Sequence, residues 1–118
     1  MNYEQFLEQV INDGIEGAKR DYKRENQKLL REGSISGFES CRGKSIVELS
    51  KLLEESQKES HKKSMERAEN YWYYLGFALE VEWVCNVVSA MLMNQGQPTI
   101  INPTARGMIR VANIIGIK

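Results

Sequence analysis

Residues 65–94 read MERAENYWYYLGFALEVEWVCNVVSAMLMN. On a helix drawn through this stretch Trp72, Leu79, Trp83 and Ala90 fall along one side, and Phe77, Val81, Val84, Val88 and Leu92 spread over the others. A helix apolar nearly all round is buried on several sides, so the stretch predicts the central helix of a bundle or the seam of a homo-oligomer. It does not read as a membrane span. Glu80, Glu82 and Asn86 near its middle would each be costly in hydrocarbon, and its flanks carry no clear topology signal.

Downstream, Gly96 suits the C′ position that ends this helix, and Pro98 prevents it from resuming. QPTII is then an extended connector or a short strand leading to NPTARG (102–107), where Asn102 is a good N-cap and Pro103 suits the first helical position. A last helix is expected there, with Met108, Val111, Ala112 and Ile115 turned inward and Gly116 as its stop.

Upstream, QKESHKKS (57–64) loses apolar periodicity but holds neither Pro nor Gly, so the chain either turns or continues as one long exposed helix. A turn is favoured. Before it, SIVE places Ser45 and Glu48 at capping-box spacing and starts a helix with Ile46, Leu49, Leu52 and Leu53 facing inward. GSISGFESCRGK (33–44), with its three glycines, reads as a loop holding one helical turn around Phe38. From Tyr3 the residues Leu7, Ile11, Ile15, Ala18, Tyr22 and Leu29 recur at helical steps, so residues 3–31 read as one amphipathic helix on which Gly14 and Ala18 permit close approach. Residues 1–118 thus form a single all-α domain, a bundle of about four principal helices that is expected to be oligomeric.

Lysines plus arginines and aspartates plus glutamates number 16 each. Bulk charge therefore steers the chain neither to DNA nor to an anionic membrane. Cys41 and Cys85 lie in very different surroundings and read as free thiols of a reducing cytoplasm. MNYEQFLEQV is acidic and amphipathic, unlike a signal peptide. The even total hides an uneven distribution: every acidic residue falls at or before Glu82, and the charges beyond it are Arg106, Arg110 and Lys118.

Enzyme signatures are mostly missing. His61 is the one histidine and lies in a polar stretch, so neither a His-based triad nor a multi-histidine metal site can be assembled within one chain. Glu80 and Glu82 diverge on a helix, although Glu82 could meet Asn86 one turn on. No catalytic group, metal or cofactor is expected. Binding fits better, because a helix N-terminus presents unpaired N–H groups to an anion. Asn102 opens that site, Thr104 supplies a hydroxyl, and Arg106 and Arg110 offer donor forks that match phosphate. Trp83 could stack a base and Asn86 or Asn94 could read its edge. The alternative for the arginines is an ion pair to Glu80 or Glu82, and for the aromatic residues simply core.

EVEWVCNVVSA (80–90) and NPTARG, with FESCRGKS (38–45) upstream, resemble small proteins encoded by bacteriophages and prophages, most without an assigned function. The resemblance spans residues 38–116 and carries over no functional residue. It implies the cytoplasm of an infected bacterium as the setting. There, small oligomeric helical proteins act as sponges for the nucleotide second messengers of host immune systems such as Thoeris and CBASS. The leading expectation is a non-catalytic sponge for a cyclic ADP-ribose isomer or cyclic oligonucleotide. The alternative is an inhibitor or adaptor that contacts a host or phage protein through the charged N-terminal helix and the glycine-rich segment. A DNA-associated regulator is disfavoured by the balanced charge.

Overall fold

The computed structural model describes residues 2–96, which form helices joined by short turns with no strand among them. Four helices pack together: α1 (Tyr3–Asp21), α2 (Lys28–Ser40), α3 (Ile46–Met65) and α4 (Tyr71–Asn94). The all-helical class is as expected, yet these are not the same four helices. The connector QPTII and the helix expected from Asn102 lie outside the described residues, and the expected helix over 3–31 is divided in two.

Asn2 opens α1 with a reciprocal cap, its side chain accepting from the Gln5 N–H at 2.8 Å while Gln5 Oε1 accepts from the Asn2 N–H at 3.2 Å. Phe6, Leu7, Val10, Ile11, Ile15 and Ala18 form its buried stripe. The helix stops at Tyr22, and the freed Tyr22 carbonyl accepts from Arg31 Nη1 at 2.7 Å. Between Tyr22 and Leu29 the sequence offers no apolar residue, so a continued helix would have nothing to hold it against the core. A 3₁₀ turn at Glu25–Gln27 reverses the chain instead.

Most of the glycine-rich segment expected to be a loop is helical, because α2 runs through to Ser40 and only Cys41–Lys44 turn. Its glycines mark helix crossings. A Cβ built on Gly33 would strike the Tyr73 carbonyl, one on Gly37 would lie 2.7 Å from the Phe77 carbonyl, and one on Gly76 would lie 2.7 Å from the Leu30 carbonyl. The matched order, 33 with 73 and 37 with 77, makes α2 and α4 parallel and in backbone contact. Gly14 of α1 likewise leaves room for the Phe38 ring.

Ser45 and Glu48 form the expected capping box, at 3.2 and 3.0 Å, and start α3. Leu49 is buried, while Ile46, Leu52 and Leu53 pack half-buried against the core. The helix then continues through QKESHKKS, where a turn was expected. Nothing in that stretch breaks a helix, and the i,i+4 pairs Glu54–Lys58 at 3.0 Å and Glu59–Lys63 at 3.8 Å support it. The turn falls instead after Met65, with Arg67 at φ 52° in the left-handed region. Residues 45–94 are thus two helices, and α3 packs on α4 alone among the described helices.

In α4 every residue from Val84 to Leu92 is buried, as befits a central helix. The side proposed for Trp72 and Leu79 is different: they are 55% and 47% exposed. Gly96, at φ 71°, follows the helix end as expected.

The backbone crossing makes opposite predictions for two glycines. Gly33→Ala should destabilise the fold by about 1–3 kcal/mol in urea unfolding, because its new methyl overlaps a carbonyl that cannot move alone. Gly17→Ala, whose Cβ would meet nothing nearer than Arg20 Nη2 at 3.6 Å, should stabilise it by roughly 0.5–1 kcal/mol. Ser34 Oγ is buried without a hydrogen-bond partner, so Ser34→Ala should raise the urea midpoint by relieving a penalty of about 1 kcal/mol.

Candidate functional site

The structure places two of the expected site residues, Trp83 and Asn86, on successive turns of α4. Trp83 is half-buried and meets Phe38 edge to face, with ring centroids 5.6 Å apart and planes at 84°. Its indole is thereby part of the packing chain Gly14–Phe38–Trp83 and not a free stacking platform. Asn86 is 8% exposed, within an otherwise apolar run. Ser89, one turn further, is also buried and was missed by sequence reasoning; its i+3 spacing from Asn86 was the available signal. A buried amide must be hydrogen-bonded or bear a penalty, so the two polar side chains mark where α4 departs from pure core. Asn102, Thr104, Arg106 and Arg110 lie outside the described residues. Asn94 is exposed at the end of α4.

Glu80 and Glu82, the intrachain partners considered for the arginines, are both half-exposed. Glu82 takes part in none of the ion pairs among the described residues. The largest set centres on Arg42, which donates to Glu8, to Glu39 at 3.0 Å and to Asn12 at 3.2 Å. It ties the end of α2 to α1, and its hydrogen bond holds the Glu39 carboxyl below the usual range. Lys19–Glu16 and Arg20–Asp21 are exposed pairs, of a kind that contributes little to stability.

The nucleophilic side chains Cys41, Cys85 and Tyr3 are drawn into the interior. Cys85 Sγ donates to the Leu49 carbonyl at 3.6 Å, and Tyr3 Oη donates to the Lys44 carbonyl at 2.6 Å. Cys41 and Cys85 are free and fully enclosed. Burial pushes both thiols and the Tyr3 phenol up to about 12. A protonated, inaccessible thiol is a packing group. His61 is exposed on α3, and no group of three or more His, Cys, Asp or Glu among the described residues could hold a metal ion.

No family model, curated protein or solved structure matches the chain.

The raised titrations fix a sign. The folded chain holds these protons more tightly than the unfolded one, whose thiols titrate near 9.0 and phenol near 10.0. Their contribution to stability is complete below pH 9 and is lost as the pH climbs from there toward 12. Chemical denaturation at stepped pH should show the decline, and Cys41→Ala should flatten part of it. Ellman's reagent at pH 8 should find no reactive thiol in the native chain and two in guanidinium.

Proposed function

We propose that the chain is a non-catalytic binding protein that sequesters a nucleotide second messenger, a cyclic ADP-ribose isomer or a cyclic oligonucleotide, in the cytoplasm of a phage-infected bacterium. The observation that carries this reading is the polar pair Asn86 and Ser89, buried in the apolar half of α4 beside the half-exposed Trp83. A buried amide with two donors and an acceptor suits the edge of a base. The sequence that follows α4 contains cationic and no acidic side chains, and its Thr104, Arg106 and Arg110 supply the donors that phosphates require. Asn102 would open that helix N-terminus, and a second copy of the chain would complete the pocket.

A protein-binding inhibitor or adaptor is the second reading, favoured by Met65 at 71% and Trp72 at 55% exposure on either side of the α3–α4 turn. Trp and Met are residue types enriched at protein interfaces. The surface first considered for it has changed, because the glycine-rich segment is buried against α4. The charges at Lys19, Arg20, Lys23 and Arg24 remain exposed.

Calorimetric titration with a panel of cyclic nucleotides and ADP-ribose isomers separates the two. The sponge reading expects saturable binding to one of them without turnover, weakened at least ~30-fold by Arg106→Ala if the guanidinium makes a charge-assisted contact of about 2 kcal/mol. Silence across the panel, or an Arg106→Ala variant that binds as the parent does, overturns it. The adaptor reading expects Trp72→Ala or changes at Lys19 and Arg20 to abolish activity while Arg106→Ala is tolerated.

A further inference from the structure

The α1–α2 and α3–α4 turns lie at the same end of the bundle. A line of contacts crosses the molecule just inside it: Arg31 Nη1 donates to the Tyr22 carbonyl at 2.7 Å, Gly33 abuts the Tyr73 carbonyl, and Lys63 lies 5.1 Å over the Tyr74 ring. Toward the end from that line stand three exposed apolar side chains, Leu29, Met65 and Trp72. Charge gathers there too, although the chain as a whole is balanced. Residues 19–32 and 62–72 hold nine lysines and arginines against five carboxylates, whereas the rest of 2–96 holds four against eleven.

Helix ends account for some of these cations, since Lys19, Arg20, Lys62 and Lys63 occupy the last turns of α1 and α3. They do not account for Lys28, which stands in the first turn of α2, where a cation is unfavourable. Arg67 is equally unexplained, because its φ of 52° is one that glycine adopts without steric cost. Lys23, Arg24, Lys28 and Arg67 are all exposed and enter none of the ion pairs among the described residues.

We infer that this end of the bundle is an interaction surface for an acidic, amphipathic segment of another protein. The inference rests on the adaptor reading and supplies the chemistry of its partner. Apolar side chains of the segment cover Leu29, Met65 and Trp72, and its carboxylates meet Lys23, Arg24, Lys28 and Arg67. The interleaved carboxylates decide against a lipid surface or a nucleic acid. Asp21, Glu25, Glu66 and Glu69 would each be repelled by a uniform polyanion, whereas a protein can set a cation or water opposite them. A second copy presenting the same end would oppose cations to cations.

Fluorescence anisotropy on the full chain tests this with two labelled amphipathic helical peptides, each with Leu and Phe on the apolar face, and with Glu or Lys on the polar face. The Glu peptide should bind saturably and more weakly as salt rises. Trp72→Ala should weaken it at least ~10-fold, as should Lys23→Glu combined with Lys28→Glu. These side chains are exposed, so circular dichroism should show helicity unchanged. Lys51→Glu, the same charge change near the start of α3, should bind as the parent does. Binding of the Lys peptide alone overturns the acidic partner and keeps the adaptor reading; silence of both peptides overturns both. Equal weakening by Lys51→Glu overturns the surface. So does tighter binding to phosphatidylglycerol vesicles or oligo(dT) that Lys23→Glu with Lys28→Glu abolishes, which would give this end to a polyanion.

Discussion

The contact of α2 with α4 at Gly33, Gly37 and Gly76 governs the rest of this fold. Helices separated by side chains pack 8–10 Å apart; here the carbonyls of Tyr73, Phe77 and Leu30 occupy the places where β-carbons would be. Close approach of this kind forgoes side-chain burial at the crossing and gains dense backbone packing over several turns. It also fixes orientation. With α2 and α4 parallel and touching, the short connections leave α1 and α3 antiparallel to them, on either side of the pair.

From that crossing the remaining packing follows. Phe38 lies one residue beyond Gly37 and is carried into the space left by Gly14, where its ring meets Trp83. Cys41 continues the same line into the interior, and Arg42 emerges on the surface to join Glu8 and Glu39. One sequence segment thus contributes backbone contact, aromatic packing, a buried thiol and a surface ion-pair set within ten residues. The α3 helix is held differently. It buries little beyond Leu49 and Ser56, and its exposed half relies on local charge pairs and on Lys63 lying 5.1 Å over the Tyr74 ring.

How far the sequence disclosed this depends on which signal each element carries. The caps at Ser45 and the stop at Gly96 were legible because a cap is a local device whose partners lie within three residues. The central helix was legible from its unbroken apolar run. Gly33 and Gly37 were misread because a glycine-rich stretch looks the same whether it frees a loop or admits another backbone, and only the facing Gly76, some forty residues away, distinguishes the two. The division of residues 3–31 was hidden for a related reason: the break at Tyr22 is imposed by packing and has no glycine or proline to announce it. At the candidate site, Asn86 stood out as an amide within an apolar run. The role of Trp83 did not, because its partner Phe38 belongs to α2, whose glycines look in sequence like those of a loop.

The uneven charge distribution ties these strands together. Residues 2–96 hold all sixteen acidic residues and thirteen of the basic ones, which leaves the cations of the last segment without acidic neighbours in sequence. Most described carboxylates sit on outer helix faces, where solvent screens them and local lysines and arginines answer them. Glu82 differs, being half-exposed on α4 a turn from the exposed Leu79 and a turn from the buried Asn86. A carboxylate kept on an apolar face has a standing requirement for a cation or for water, and beyond Glu82 the charged residues of the sequence are Arg106, Arg110 and Lys118. The same arginines are the donors that a phosphate would need.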